Sequence, residues 1–253
     1  MATKVISNLT RYPINVYADG TLDGLKLQML QNGIDRAVLL PVATKPSQVA
    51  DCNAFLEPYL DDALYPQFTP FCTVHPDHPD PIGVLRQAHA KGFKGVKLHP
   101  IMQCFHPQER RLMPLYRAIE EEGMIVLFHA GAGMDFDDIY GSKDDFDRYY
   151  DMFPYPRTVL AHLGGRPNFQ EFPAFKGDWP GYIDTALSPG MMPDDYLVAL
   201  CRDYGASRVL FGSDSPWADP SEYLTILKHS GFSSAELEAI LYANAEDLLA
   251  QVR

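Results

Sequence analysis

Hydrophobic residues along this chain fall into two alternating kinds of stretch. The first kind is short and almost unbroken, at residues 37–42, 68–74, 93–99, 124–129, 157–162, 182–187 and 208–214. Strands that read as continuous apolar runs are covered on both faces, as in a parallel sheet. The second kind spaces its apolar residues by three and four. It predicts helices at 21–32, 47–60, 81–91, 107–122, 144–153 and 193–204, with two or three more between 219 and 252. In the first of these, Leu22, Leu25, Met29 and Leu30 share one side, Thr21 serves as N-cap and Gly33 as the stop. Gly92 and Gly123 stop the third and fourth.

The two patterns alternate at roughly 25–33 residues, the size of a βα unit, and alternation of this kind calls for a parallel sheet with crossover helices. A closed (β/α)8 barrel needs ~8 strands, each followed by its helix. Here about seven strands are legible, and the first clear element is a helix. Within residues 1–20, Val5-Ile6 is too short for a strand, and Ile14-Asn15-Val16-Tyr17 runs straight into a turn. The expected fold is therefore a single α/β domain over residues 1–253, a TIM-type (β/α)8 barrel that is incomplete, with strand one missing or irregular. Low-complexity segments, tandem repeats and a domain linker are absent from the sequence.

Composition narrows the function classes. A net charge of −12 argues against nucleic acid or an anionic membrane surface as partner; it says nothing about the substrate, expected to be a small molecule, because a local site can oppose the global sign. No apolar run approaches the ~18 residues that span a bilayer, and no secretory signal pattern opens the chain. The cysteines, Cys52, Cys72, Cys104 and Cys201, lie far apart with no CxxC, and read as buried thiols in a reducing, cytoplasmic setting. No GxxxxGK[ST], GxGxxG, GxSxG or HExxH occurs, so phosphate-loop, dinucleotide and serine-hydrolase readings lose their usual support.

Three strand-like runs end on chemically capable residues. One ends on His129 followed by Ala130-Gly131, one on His162 followed by Leu163-Gly164-Gly165, and one on Asp214 within Phe211-Gly212-Ser213-Asp214-Ser215-Pro216-Trp217. The carboxyl ends of parallel strands are where ligands and chemistry gather in α/β proteins. Two imidazoles and a carboxylate placed there suit a divalent metal such as zinc, or proton transfer beside one. Each histidine taken singly also reads as a satisfied core or surface group; the shared position is what favours a common site. Lys97 and His99 have the same parity on one strand, which puts Lys97 one layer deeper than His99 on the inward face. A buried lysine needs a partner, so Lys97 reads as a carboxylate-pairing or metal-bridging group. Arg166 and Trp217 flank the mouth as candidate anion and ring contacts. His75 and His78 lie in a turn-like Pro76-Asp77-His78-Pro79 context and read as exposed imidazoles, while His89, His106 and His229 fall on helix or loop surfaces. Asp135, Asp137 and Asp138 lie on a long loop that is a lid or simply a solvated connection.

The ordered set Gly95-Val96-Lys97-Leu98-His99-Pro100, Leu127-Phe128-His129-Ala130-Gly131, Leu160-Ala161-His162-Leu163-Gly164-Gly165 and Phe211-Gly212-Ser213-Asp214-Ser215-Pro216-Trp217 resembles the amidohydrolase-related family of metal-dependent TIM-barrel hydrolases and decarboxylases. The resemblance runs from about Asp35 to the C-terminus. It implies that His129 and Asp214 bind a single divalent metal, often zinc, and that His162 and Asp214 are catalytic, moving protons beside it. Lys97, His99, Arg166 and Trp217 are the expected substrate contacts. The implied activity is hydrolysis of a small amide, ester or lactone, with non-oxidative decarboxylation second. The sequence departs from the family at one place. The family's first strand carries a His-x-His pair that completes the metal site, and here no histidine precedes His75. The leading expectation is a natural reading frame that begins upstream, making Met1 internal. The alternative is a barrel that holds its metal weakly or not at all, and that binds a small acid without turning it over or takes ligands from a partner. Either way an open barrel edge is expected, suited to pairing with a second copy.

Overall fold

The computed structural model describes residues 16–131, 140–165 and 179–252. Its strands are all parallel and neighbour one another in chain order. β1 (Ala37–Leu39) pairs with β2 (Phe68–Pro70), and β3 (Cys72–Thr73) opens a six-stranded sheet. That sheet continues through β4 (Gly95–Leu98), β5 (Ile125–Phe128), β6 (Thr158–Leu160), β7 (Tyr182–Asp184) and β8 (Val209–Leu210). Only Phe71 separates β2 from β3, and its N–H still donates to Leu39 O at 2.9 Å. Residues 68–73 therefore form one run shared by two sheets, which leaves seven strand positions in sequential parallel order, as in a TIM-type barrel. Among the described residues no strand precedes β1, in line with the expected gap at strand one.

The helices form where the spacing places them. The first, α1 (Leu22–Asn32), is capped by the Thr21 hydroxyl, which accepts from Gly24 N at 3.0 Å, and stops at Gly33 with φ 63°. Asp80 caps Pro81–Lys91 in the same way. Several expectations need correction. The helix expected over 107–122 narrows to Met113–Glu121 behind a 3-10 turn at Arg110–Leu112, and the strands expected over 182–187 and 208–214 shorten to β7 and β8. Leu30 is 80% exposed, because α1 packs on a narrow stripe of Leu22, Leu25, Gln28 and Met29, and Leu30 lies about 100° past Met29 around the helix. The expected helix over 47–60 divides into a 3-10 turn, Val49–Leu56, and a second 3-10 turn at Glu57–Leu60, where Pro58 lacks the N–H an α-helix needs. The expected buried strand over 37–42 shortens to β1, and Val38 and Leu40 remain partly exposed beside the strand's outer edge.

Strand parity sorts the core into two layers. Val96, Leu98, Val126, Phe128, Leu160 and Ile183 face the helices, in a cluster with Leu85, Leu115, Ile119 and Tyr149. Phe71, Ile125, Leu127, Val159 and Ala161 face the other way and pack with Leu248 and Leu249 of the last helix (Asn244–Ala250) and with Val252 beyond it. Lys97, His99 and His129 share the parity of this second, inner set, so the site grows out of the barrel interior.

Close packing around β6 gives a stability prediction. A Cβ added at Gly181 would run into the Thr158 carbonyl oxygen and the Tyr150 hydroxyl. Backbone of a paired strand cannot step aside as a flexible side chain does. Gly181→Ala is expected to cost about 1–3 kcal/mol, read as a lower midpoint in chemical unfolding with an unchanged slope.

Candidate functional site

β6 runs out into residues 161–164, where His162 (φ 57°) and Leu163 (φ 54°) both adopt the left-handed conformation. For residues with a Cβ this costs about 1–3 kcal/mol each and persists only where the surroundings enforce it. Three contacts do so here. His162 N donates to Asp184 Oδ1 at 2.9 Å, Ala186 N donates to the same oxygen at 2.9 Å, and His162 Nδ1 lies 3.1 Å from Ala186 O. A carbonyl oxygen only accepts, so His162 Nδ1 carries the hydrogen. In the neutral ring Nε2 then holds the lone pair. That atom lies 3.1 Å from His129 Nδ1, which donates to it. The two rings meet edge-on, with centroids 4.7 Å apart and planes at 67°. Gly165 (φ 118°) allows the two strand-end loops to touch: a Cβ there would sit 3.2 Å from Gly131 N.

His99 completes the cluster. Extending the β4–β5 register by one residue sets His99 opposite His129, and their rings stack at 4.0 Å and 9°. His99 Nδ1 accepts from Met102 N at 3.3 Å, so its ring caps the turn Pro100–Gln103. Its backbone N donates to Gln103 Oε1 at 2.9 Å, while Gln103 Nε2 donates to Ala43 O and Val74 O. One buried amide thus ties the ends of three strands to His99. Burial, followed by the charges of Lys97 and His162, holds the His99 imidazole well below the usual histidine range. It is therefore neutral at pH 7, which suits a ring stacked on another imidazole.

Lys97 lies one layer below and is 7% exposed. Burial lowers its ammonium to about 8, against the opposing pull of Asp214 and Asp184. Asp184 is raised by burial, against the pull of His162, the two backbone N–H groups and Lys97. A buried cation flanked by two strand-end carboxylates sits behind the imidazole cluster. Asp214 enters on a left-handed residue (φ 58°) and is half-buried.

The structure thus sets His129 against both His162 and His99, and links Lys97 to His99 and Asp214 to Lys97 through charge. Trp217 joins through its backbone, its N–H donating to Asp214 O at 2.9 Å. Arg166, Asp135, Asp137 and Asp138 lie outside the described residues. His75 is corrected: it is 4% exposed, its Nδ1 accepting from Asp77 N at 3.1 Å and its ring meeting the Thr44 backbone. Cys104 is exposed and Cys52 only partly covered, so burial of the thiols holds for Cys72 and Cys201 alone. Two residues escaped the sequence reading. Asp184 ends a strand on a carboxylate just as Asp214 does, and that signal was available. Gln103 gave none, since its role depends on three strands meeting.

Among the described residues no three His, Cys, Asp or Glu side chains stand close enough together to hold a metal ion. His129 and Asp214 fall short of the three protein ligands usual at a catalytic zinc. The described residues therefore do not complete a metal site.

Among curated proteins none matches the sequence. Of the solved structures that are similar, an uncharacterized TIM-barrel protein from Bordetella bronchiseptica is 24% identical, covering 92% of this chain and 83% of its own, with TM-score 0.73. A proposed 2-pyrone-4,6-dicarboxylic acid hydrolase from Pseudomonas putida is 20% identical, covering 97% and 92%, with TM-score 0.66. A 5-carboxyvanillate decarboxylase from Novosphingobium aromaticivorans, holding manganese and a nitrobenzoic acid, is 16% identical, covering 89% and 80%, with TM-score 0.69. At these identities the likeness shows the shared barrel fold. The model of the amidohydrolase family matches residues 19–250, nearly the whole described chain, and the protein belongs to that family.

Proposed function

We propose that the chain is a hydrolase of a small amide, ester or lactone whose protons are handled at the strand ends by His162 and Asp214. The observation that supports this reading best is the 3.1 Å contact between His162 Nε2 and His129 Nδ1, with the His162 tautomer fixed from behind. Hydrolysis needs a group that takes a proton from water and returns one to the leaving group. With Nδ1 held by Ala186 O, His162 Nε2 does this once water or the leaving group takes the place of His129 Nδ1 as its partner. Lys97 supplies positive charge for a developing oxyanion or a substrate carboxylate, with His99, Arg166 and Trp217 as the remaining substrate contacts. Cytoplasmic placement belongs to the same reading; no described helix is long and apolar enough to cross a membrane. So does pairing of the outer β1 edge with a second copy.

Non-oxidative decarboxylation is the second reading, supported by the likeness to the carboxyvanillate decarboxylase. One assay separates the two. The chain is incubated with small aromatic lactones, esters and amides, and in parallel with hydroxybenzoates, and products are followed by chromatography and CO2 release. Ring opening or ester cleavage is expected. CO2 release alone moves the assignment to the second reading. Ligand-induced thermal stabilisation without turnover makes the protein a binding barrel.

The divalent ion, zinc first, is proposed as a weakly held guest of His129 and Asp214. Purified protein is expected to carry zinc well below one equivalent by elemental analysis. One tightly retained ion per chain would show that the ligand count is wrong.

A further inference from the structure

We propose that Asp184 is the positioning residue for His162: one carboxylate oxygen holds both the backbone and, through Ala186, the ring of His162 in the orientation that meets His129. The inference rests on the reading of His162 as the proton-transfer group. Asp184 Oδ1 accepts from His162 N and from Ala186 N, each at 2.9 Å. The first bond fixes the strand end just where the chain turns left-handed. The second fixes Ala186, whose carbonyl oxygen then accepts from His162 Nδ1 at 3.1 Å and sets the tautomer. Ala186 O also accepts from the Ser188 hydroxyl at 3.0 Å, which keeps that carbonyl aimed at the ring. One atom on β7 therefore controls the position, the rotation and the protonated nitrogen of an imidazole on β6. The carboxylate is 7% exposed, so water does not compete for the two N–H groups. The charge of Lys97 opposes the cost of burying this one.

The test reads His162 directly and needs no substrate. In 15N-histidine-labelled protein at pH 8, the His162 ring is expected as the Nδ1–H tautomer. Asp184→Asn keeps an acceptor oxygen of the same reach and is expected to keep that signal. Asp184→Ala and the less disruptive Asp184→Ser cannot reach both N–H groups, and either one that folds is expected to show the ring redistributed between tautomers. Their kcat, measured on any substrate the protein turns over, is expected to fall about 10²-fold with KM changed only a few-fold. A wild-type ring protonated at Nε2 overturns the proposal whether or not the smaller variants fold. So does a folded Ala or Ser variant with the wild-type signal, or an Asn variant that loses it. If the nitrogen signals behave as expected while His162 proves dispensable for turnover, the positioning stands and the functional reading fails.

Discussion

Replacing His162 with asparagine is expected to lower kcat by about 10²–10⁴-fold, the usual worth of a positioned acid or base, while leaving the fold intact. The substitution is chosen for its geometry. The asparagine Nδ2–H group takes the place of imidazole Nδ1–H, and so preserves the bond to Ala186 O. The backbone bond to Asp184 does not involve the side chain at all. Asparagine also tolerates the left-handed conformation found at this position better than histidine's bulk requires. What it cannot supply is a titratable nitrogen opposite His129 Nδ1. Unchanged thermal stability with collapsed turnover is the expected pair of results. His129→Asn is expected to match it, because the two rings share one hydrogen bond and act as a unit. His99→Asn is expected to cost less than either, since His99 meets His129 face to face and its own ring is neutral. Retention of more than a tenth of wild-type kcat in the His162 variant would remove that ring from proton transfer.

Much of this arrangement was legible along the chain because its signals are local. Thr21 and Gly33, or Asp80 and Gly92, mark helix ends through bonds made within a few residues. An unbroken apolar run that stops on His129, His162 or Asp214 is equally local, since burial on both faces writes itself into every position of a parallel strand. Several of the failures depend on what lies across the fold. Nothing near Phe71 tells that the strand changes partners there; its ring needs the space left by Gly95 on the neighbouring strand. Leu30 fits the helical period but stays 80% exposed, with no packing surface for it among the described residues. His75 was read from its polar, proline-rich neighbours, whereas its buried ring also meets the Thr44 backbone, distant along the chain. Asp184 is the instructive miss. It obeys the rule that selected Asp214, but lies within a run whose apolar residues drew attention to the core.

Lys97→Met is expected to destabilise the protein by about 3–5 kcal/mol near neutral pH, the penalty for removing one partner from a buried charge set. Methionine fills the space of the lysine stem, so cavity formation adds little. The loss falls instead on Asp184 and Asp214, which face Lys97 through charge. The pH dependence separates this account from a packing defect. Asp184 is already raised in the wild type by burial, so in the window between its unfolded and folded values the native state holds the extra proton, and stability falls as pH rises. Removing the ammonium raises this carboxylate further and widens that window. Acidification is therefore expected to return part of the lost stability to the variant, more than it returns to the wild type. At the alkaline end the order reverses. Wild-type Lys97 titrates at about 8 in the folded protein against 10.5 when unfolded, so the unfolded chain binds the extra proton between these values. Wild-type stability consequently gains a rising component above pH 8, which methionine cannot provide. Urea unfolding at closely spaced pH values from 5 to 9 measures both arms, and a destabilisation constant across that range would assign Lys97 a purely steric role.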